Sequence, residues 1–256
     1  MRGTKEGTQE EINFVKLLNK KENLFYWDIL GLNSKTHYAV RVITQKYGFI
    51  NESKIFPKAD VFIVKGDIDM DYLKNNDYFL DENDIQKFNV SYIDKSGISI
   101  KLKDSKKYQI MKLSPSTFKK LFGSNILASG ASIYSTKEME FYKNIDILNG
   151  WEIKEKEFID FFNTKLNINL KSVTKDKNLL SIIKKFSNQE IKQVIEEDEK
   201  LSKFIFFGIG NFKEPFTAYW LYEEGVLKHN YIIPFNITTG SGRSKGIYTI
   251  VIKPRK

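Results

Sequence analysis

The chain predicts a mixed α/β (α+β) fold: a central mixed sheet flanked by helices, a helical middle and a β-rich C-terminal part. Three observations predict it. Residues 98–103 (ISIKLK) alternate strictly between apolar and polar, the pattern of a half-buried strand. From 137 to about 202 the apolar residues instead recur at helical spacing. Beyond 203 the chain returns to short β-branched and aromatic runs separated by turn residues.

The first element is a helix over about 8–20. Thr8 followed by Glu11 reads as a capping box, and Ile12, Val15 and Leu18 supply the apolar stripe. Strands follow at 38–44 (YAVRVIT) and, after Pro57, at 59–65 (ADVFIVK). A polar stretch of helical character (69–87) leads to a short strand at 89–93. Lys95-Ser96-Gly97 is a turn signal, and the strand 98–103 comes next. A further strand spans 108–113. Ser114-Pro115 then puts a hydroxyl cap before Pro at the first helical position, opening a helix to about 122. Phe141, Ile145 and Leu148, then Phe158, Phe161, Phe162 and Leu166, then Leu179, Ile182, Ile183 and Phe186 mark helices. A charged helix over 191–201 closes the set. Strands are expected at 204–208, 217–222, 231–237 and 248–253. There is no internal repeat and no low-complexity linker. The expectation is one elaborated domain over 1–256, with a core of about 8–125 and additions over 126–256.

Lys and Arg number 41 against 32 Asp and Glu, a formal net charge of +9. That surplus points to a polyanionic partner, nucleic acid before an anionic membrane surface. It is concentrated: Lys101, Lys103, Lys106, Lys107, Lys112, Lys119 and Lys120 face a single Asp104. The chain has no Cys, which excludes disulfides, thiolate metal sites and a Cys nucleophile. His37 and His229 are the only histidines, too few for a His-rich zinc site. No apolar run approaches the ~18 residues that span a bilayer, and the first residues do not read as a signal peptide. The expectation is a cytoplasmic protein without a membrane partner.

Strand periodicity sorts 98–103 into two faces, Ile98, Ile100 and Leu102 against Ser99, Lys101 and Lys103. Asp60 opens an otherwise apolar strand, where a buried unpaired carboxylate would be strongly destabilising. If the two strands pair, Asp60 and Lys101 meet over one sheet face. Such a pair is either a plain salt bridge or a place where phosphodiester chemistry is done. Mg²⁺ takes oxygen ligands, usually one or two carboxylates. A neighbouring Lys can stabilise developing negative charge.

Pro57-Lys58-Ala59-Asp60, a strand, and then Ser99-Ile100-Lys101 in a second strand resemble the PD-(D/E)xK signature of type II restriction endonucleases. The resemblance covers about residues 8–125. It implies a restriction-endonuclease-like core, Mg²⁺ as cofactor and double-stranded DNA as substrate. It further implies Asp60 as metal ligand and Lys101 beside the attacking water. Ser99 stands where the family has its second acid. Some members with Ser-x-Lys recruit a carboxylate from elsewhere, and the helix before the sheet is a frequent source. Glu11, on a helix face with Phe14, Val15 and Leu18, is therefore the leading second metal ligand, unless it serves only as the capping residue. Glu138 and Glu140 come next. Gln109, downstream of Lys101, matches a Gln that orients water in some relatives. Enzymes of this type that cut palindromes usually act as homodimers.

The loop 238–246 (TTGSGRSKG) is basic and hydroxyl-rich but lacks Walker-A order, so no nucleotide cofactor is expected. It reads as a plain hairpin turn or as a DNA contact through Ser241, Arg243 and Lys245. Arg can grip a guanine edge in bidentate fashion. Arg41 and Lys103 are further DNA-contact candidates. A structure-selective or repair nuclease on the same core, and a non-catalytic nucleic-acid-binding protein, are the alternative readings.

Overall fold

Helix α1 (Arg2–Asn19) presents Phe14, Val15 and Leu18 on one face, each 2% exposed or less. Burying such side chains contributes roughly 1.5–3 kcal/mol apiece. At its end Asn19 behaves like one more strand residue. Its Nδ2 donates to Ala39 O (2.8 Å) and its Oδ1 accepts from Ala39 N (3.0 Å). Helix α2 (Phe25–Leu30) returns Trp27, whose Nε1 donates to Leu18 O at 2.7 Å. The cap predicted from Thr8 and Glu11 is not there, because the helix starts about two turns earlier and Glu11 lies inside it.

The computed structural model describes residues 2–20, 22, 24–42, 49–50, 53–54, 58–101, 109–210, 214–229, 233–240 and 248–255. In chain order the strands are β1 (His37–Arg41), β2 (Phe49–Ile50), β3 (Ser53–Lys54), β4 (Val61–Lys65), β5 (Ser91–Tyr92), β6 (Ile98–Lys101), β7 (Met111–Leu113), β8 (Trp220–Glu223), β9 (Val226–His229), β10 (Phe235–Gly240) and β11 (Thr249–Pro254). The chain divides into two compact units, each discontinuous in sequence. The first takes Met1–Lys106 and Lys203–Ile232; the second takes Lys107–Ser202 and Ile233–Lys256. These units are drawn differently from the expected core of 8–125 with additions over 126–256.

The first unit is built on a six-stranded mixed sheet of order β1-β4-β6-β8-β9, with β5 also on β4. β6 and β8 run parallel, and every other pair is antiparallel. Val61, Ile63, Val64, Ile98 and Ala218 are fully buried in its core, and Phe14 of α1 stacks on Tyr222 of β8 at 3.9 Å. Gly97 starts the parallel pair: its carbonyl accepts from Tyr219 N and Trp220 N at 2.8 and 3.1 Å. A Cβ there would fall 1.9 Å from Thr217 O, so only Gly fits. The polar stretch 69–87 forms two short helices, Met70–Asn75 and Glu82–Lys87, capped by the side chains of Asp69 and Asp81.

Two expectations need correcting. The run at 204–208 is not a strand but the end of helix Glu199–Phe207, which starts where Asp198 accepts from Lys200 N and Leu201 N. Short apolar runs fit either period, and packing of Leu201, Ile205 and Phe206 decides for the helix. Strand β9 has no counterpart among the expected strands. It forms a hairpin with β8 through Glu224 and Gly225, both at positive φ.

The second unit combines helices with a three-stranded antiparallel sheet of order β10-β11-β7. Helix Pro115–Phe122 opens at Ser114, whose Oγ accepts from Thr117 N, as the sequence predicts. Helices Ile126–Ser132 and Lys177–Glu197 meet at Gly130, where a Cβ would lie 2.2 Å from Ser187 Oγ. Among the described residues no helix is long and apolar enough to cross a membrane.

Candidate active site

Antiparallel pairing of β4 with β6 sets Val61 opposite Ile98. Asp60, just ahead of β4, donates its own N–H to Ile98 O (2.9 Å) and its carbonyl accepts from Val42 N. This register brings its carboxylate over β6. Asp60 Oδ2 accepts from Ile100 N at 2.7 Å and from Ser99 Oγ at 3.2 Å. Ser99 Oγ in turn accepts from Lys101 Nζ at 2.7 Å. The expected meeting of Asp60 and Lys101 thus takes place through Ser99, which is buried between them. Both of these hydrogen bonds to the Asp60 carboxylate fall on Oδ2.

Glu11 is brought to this group by α1. Asn19 fixes the end of the helix against β1, and two turns back Glu11 meets Arg41 at the end of that strand. Arg41 Nη2 donates to Glu11 Oε2 at 3.1 Å, and the pair is mostly buried, with side chains 6% and 23% exposed. Arg41 Nη1 donates to Asp77 O at 3.2 Å. Burial, and then the nearby charge of Asp60, push the Glu11 carboxyl up to about 7. Its hydrogen bond to Arg41 and the charges of Arg41 and Lys101 pull the other way.

Lys58 is a member that sequence reasoning places only as part of a motif. Its N–H donates to Phe216 O at 2.9 Å, as does Ala59 N at 3.2 Å, which tucks the segment ahead of β4 into the unit. Burial, then the like charge of Lys101, press its ammonium down to about 7, against the pull of Asp60. Glu11, Lys58, Asp60 and Lys101 are therefore electrostatically coupled. Shifted protonation of Glu11 and Lys58 in one place is a pattern that functional sites share with buried ion-pair networks.

The donor set suits a hard divalent cation. Asp60 and Glu11 offer two carboxylates, with Glu11 Oε1 not engaged by Arg41. Mg²⁺ is commonly held by one or two carboxylates, water and substrate oxygen. The charge of Asp60 raises the proton affinity of Glu11, and a cation beside both would relieve that repulsion. Among the described residues no group of three or more His, Asp or Glu is placed to hold a metal ion, so Asp60 and Glu11 are the carboxylates this site offers.

The other candidates named from the sequence fall elsewhere or outside the described chain. Arg41, named as a DNA-contact candidate, is 5% exposed and held inside the first unit by Glu11 and Asp77. Gln109 is exposed, precedes β7 and belongs to the second unit, as do Glu138 and Glu140 in a single 3₁₀ turn. Lys103, Ser241, Arg243 and Lys245 lie outside the described residues.

No protein-family model matches this chain, and no curated protein matches it. Among solved structures, the restriction endonuclease MspI in complex with its cognate DNA is similar at 14% identity and a TM-score of 0.37. That match covers 94% of this chain and 83% of the other.

Proposed function

We propose that this chain is a Mg²⁺-dependent endonuclease that hydrolyses phosphodiester bonds of double-stranded DNA at specific sites, as type II restriction enzymes do. The observation that supports it most is the convergence of Asp60, Ser99, Lys101 and Glu11 in one unit, with the hydrogen bonds to the two carboxylates falling on Oδ2 of Asp60 and Oε2 of Glu11. Asp60 and Glu11 would hold the ion. When bound, Mg²⁺ supplies charge neutralisation for the scissile phosphate and makes water more acidic.

Lys101, steadied by Ser99 Oγ, stabilises the negative charge that grows on the phosphate as water attacks phosphorus and the bond to the leaving oxygen breaks. Ile100 N and Ser99 Oγ fix the Asp60 carboxylate so that it need not reorganise during that step. The net charge of +9 draws the polyanionic substrate to the protein. Lys103, Ser241, Arg243 and Lys245 contact DNA, and two copies act on a palindromic site. Neither a nucleotide cofactor nor a membrane enters the reaction, which belongs to the cytoplasm.

Incubating the protein with plasmid and Mg²⁺, with EDTA as control, tests the reading. Discrete fragments that vanish with EDTA sustain it. Nicking or smearing points to a structure-selective or repair nuclease. Intact plasmid that shifts on a gel points to a binding protein.

A further inference from the structure

Arg41 is placed oddly for a residue beside a cation site. A fixed positive charge there opposes a metal ion, so its presence calls for a reason other than charge. Its pairing with Glu11 is also incomplete. The Nε–Nη2 edge of a guanidinium ordinarily takes both oxygens of a carboxylate. Here Nη2 takes Oε2 alone, while Nε is buried with no partner among the described residues. A buried donor left bare is unfavourable, so the pair is not arranged for its own maximal strength. The guanidinium is in turn held in place. Nη1 donates to Asp77 O, and the Arg41 N–H donates to Tyr78 O at 2.8 Å. Asp77 and Tyr78 have left-handed backbone (φ 49° and 61°) just after helix Met70–Asn75, so two consecutive carbonyls grip one residue.

We infer that Arg41 is a positioning residue: it clamps Oε2 of Glu11 and so presents Oε1 to the cation site shared with Asp60. The inference rests on the proposed metal role of Asp60 and Glu11. It makes a prediction whose sign separates it from a purely electrostatic role. Removing a neighbouring positive charge should tighten cation binding; removing a clamp should weaken it.

The test is Mn²⁺ binding to the EDTA-stripped full chain without DNA, followed by titration calorimetry. Arg41→Gln is expected to weaken Mn²⁺ by roughly 10–100-fold, as loss of an outer partner of a metal ligand typically does. Glu11→Gln should lose a similar factor, the double variant should lose little more than either single one, and Arg41→Lys should recover most of the affinity. Arg41→Gln binding Mn²⁺ as tightly as wild type, or more tightly, overturns the inference, as do losses that multiply in the double variant. If Arg41→Gln does not fold, a crystal structure of the wild type with Mn²⁺ decides. Oε1 on the ion with Oε2 on Arg41 sustains the clamp, and both oxygens on either partner overturns it. Asp60→Ala serves as the control: wild-type Mn²⁺ affinity in that variant removes the metal site itself, whereas weakened binding there with an unaffected Arg41→Gln removes only the clamp.

Discussion

Replacing Lys58 with Met should stabilise the metal-free protein at neutral pH, although it removes a cation from beside Asp60. The Lys58 ammonium is lowered from 10.5 to about 7, with burial the largest cause. Each unit is worth about 1.4 kcal/mol, so keeping this lysine costs the fold roughly 5 kcal/mol at most. Met retains the length and apolar stem while discarding the charge. Residual solvation screens part of the effect, and a gain of about 2–3 kcal/mol is expected.

The pH dependence is the sharper signature. A lysine with a depressed native value is protonated in the unfolded chain and not in the native one between about 7 and 10.5. The penalty is therefore complete below pH 7 and fades as pH rises toward 10.5. Urea unfolding of wild type and Lys58→Met in EDTA, from pH 6 to pH 10.5, reads the difference directly. The variant should be more stable at pH 6–7 and converge on wild type at the alkaline end. A variant less stable at pH 7, or a difference that does not change with pH, would refute the reasoning.

Three further outcomes follow from the same geometry. Asp60→Ala and Lys101→Ala should each lower plasmid cleavage by at least ~100-fold while DNA binding in gel shift stays near wild type, because neither residue is needed for charge attraction; wild-type cutting by either removes the proposed site. Glu11→Gln should abolish cleavage yet stabilise the metal-free protein at pH 8 by up to about 3 kcal/mol, since the carboxyl is raised from 4.5 to about 7 and its ionised form is the disfavoured one. That gain should disappear as pH falls through 7 toward 4.5, where the native carboxyl is already protonated; calorimetric melting against pH checks it. Asn19→Ala leaves both the N–H and the carbonyl of Ala39 without their side-chain partner, and a loss of about 2–4 kcal/mol in denaturant unfolding is expected.

The parts of the site legible in the sequence are those set by local pattern. Period 2 puts Ser99 and Lys101 on one face, the motif spacing pairs Asp60 with them, and the β4–β6 register brings the three together. Glu11 is legible through its helix face, although its capping reading fails because α1 begins at Arg2. Lys58 and Arg41 are not legible in their actual settings. Lys58 is tied through its N–H to the carbonyl of Phe216, a residue far along the chain, and Arg41 owes its burial to the loop at Asp77–Tyr78 and to α1. Burial produced by distant segments leaves no mark on local spacing. The helix over Glu199–Phe207 shows the same limit, since its apolar residues satisfy both periods and only long-range packing chooses.

The parallel neighbour of β6 comes from Trp220–Glu223, after the whole segment Lys107–Ser202 has been laid into the other unit. On the ribosome, β6 carries Ser99 and Lys101 with one side open until nearly the full chain has emerged. Contacts of such sequence separation form late, because the intervening loop must close before they reward it. A nascent chain therefore holds the proposed cutting residues on an unfinished sheet. Under the nuclease reading, that delay keeps fragments of an interrupted translation from becoming active on the DNA of the cell that makes them.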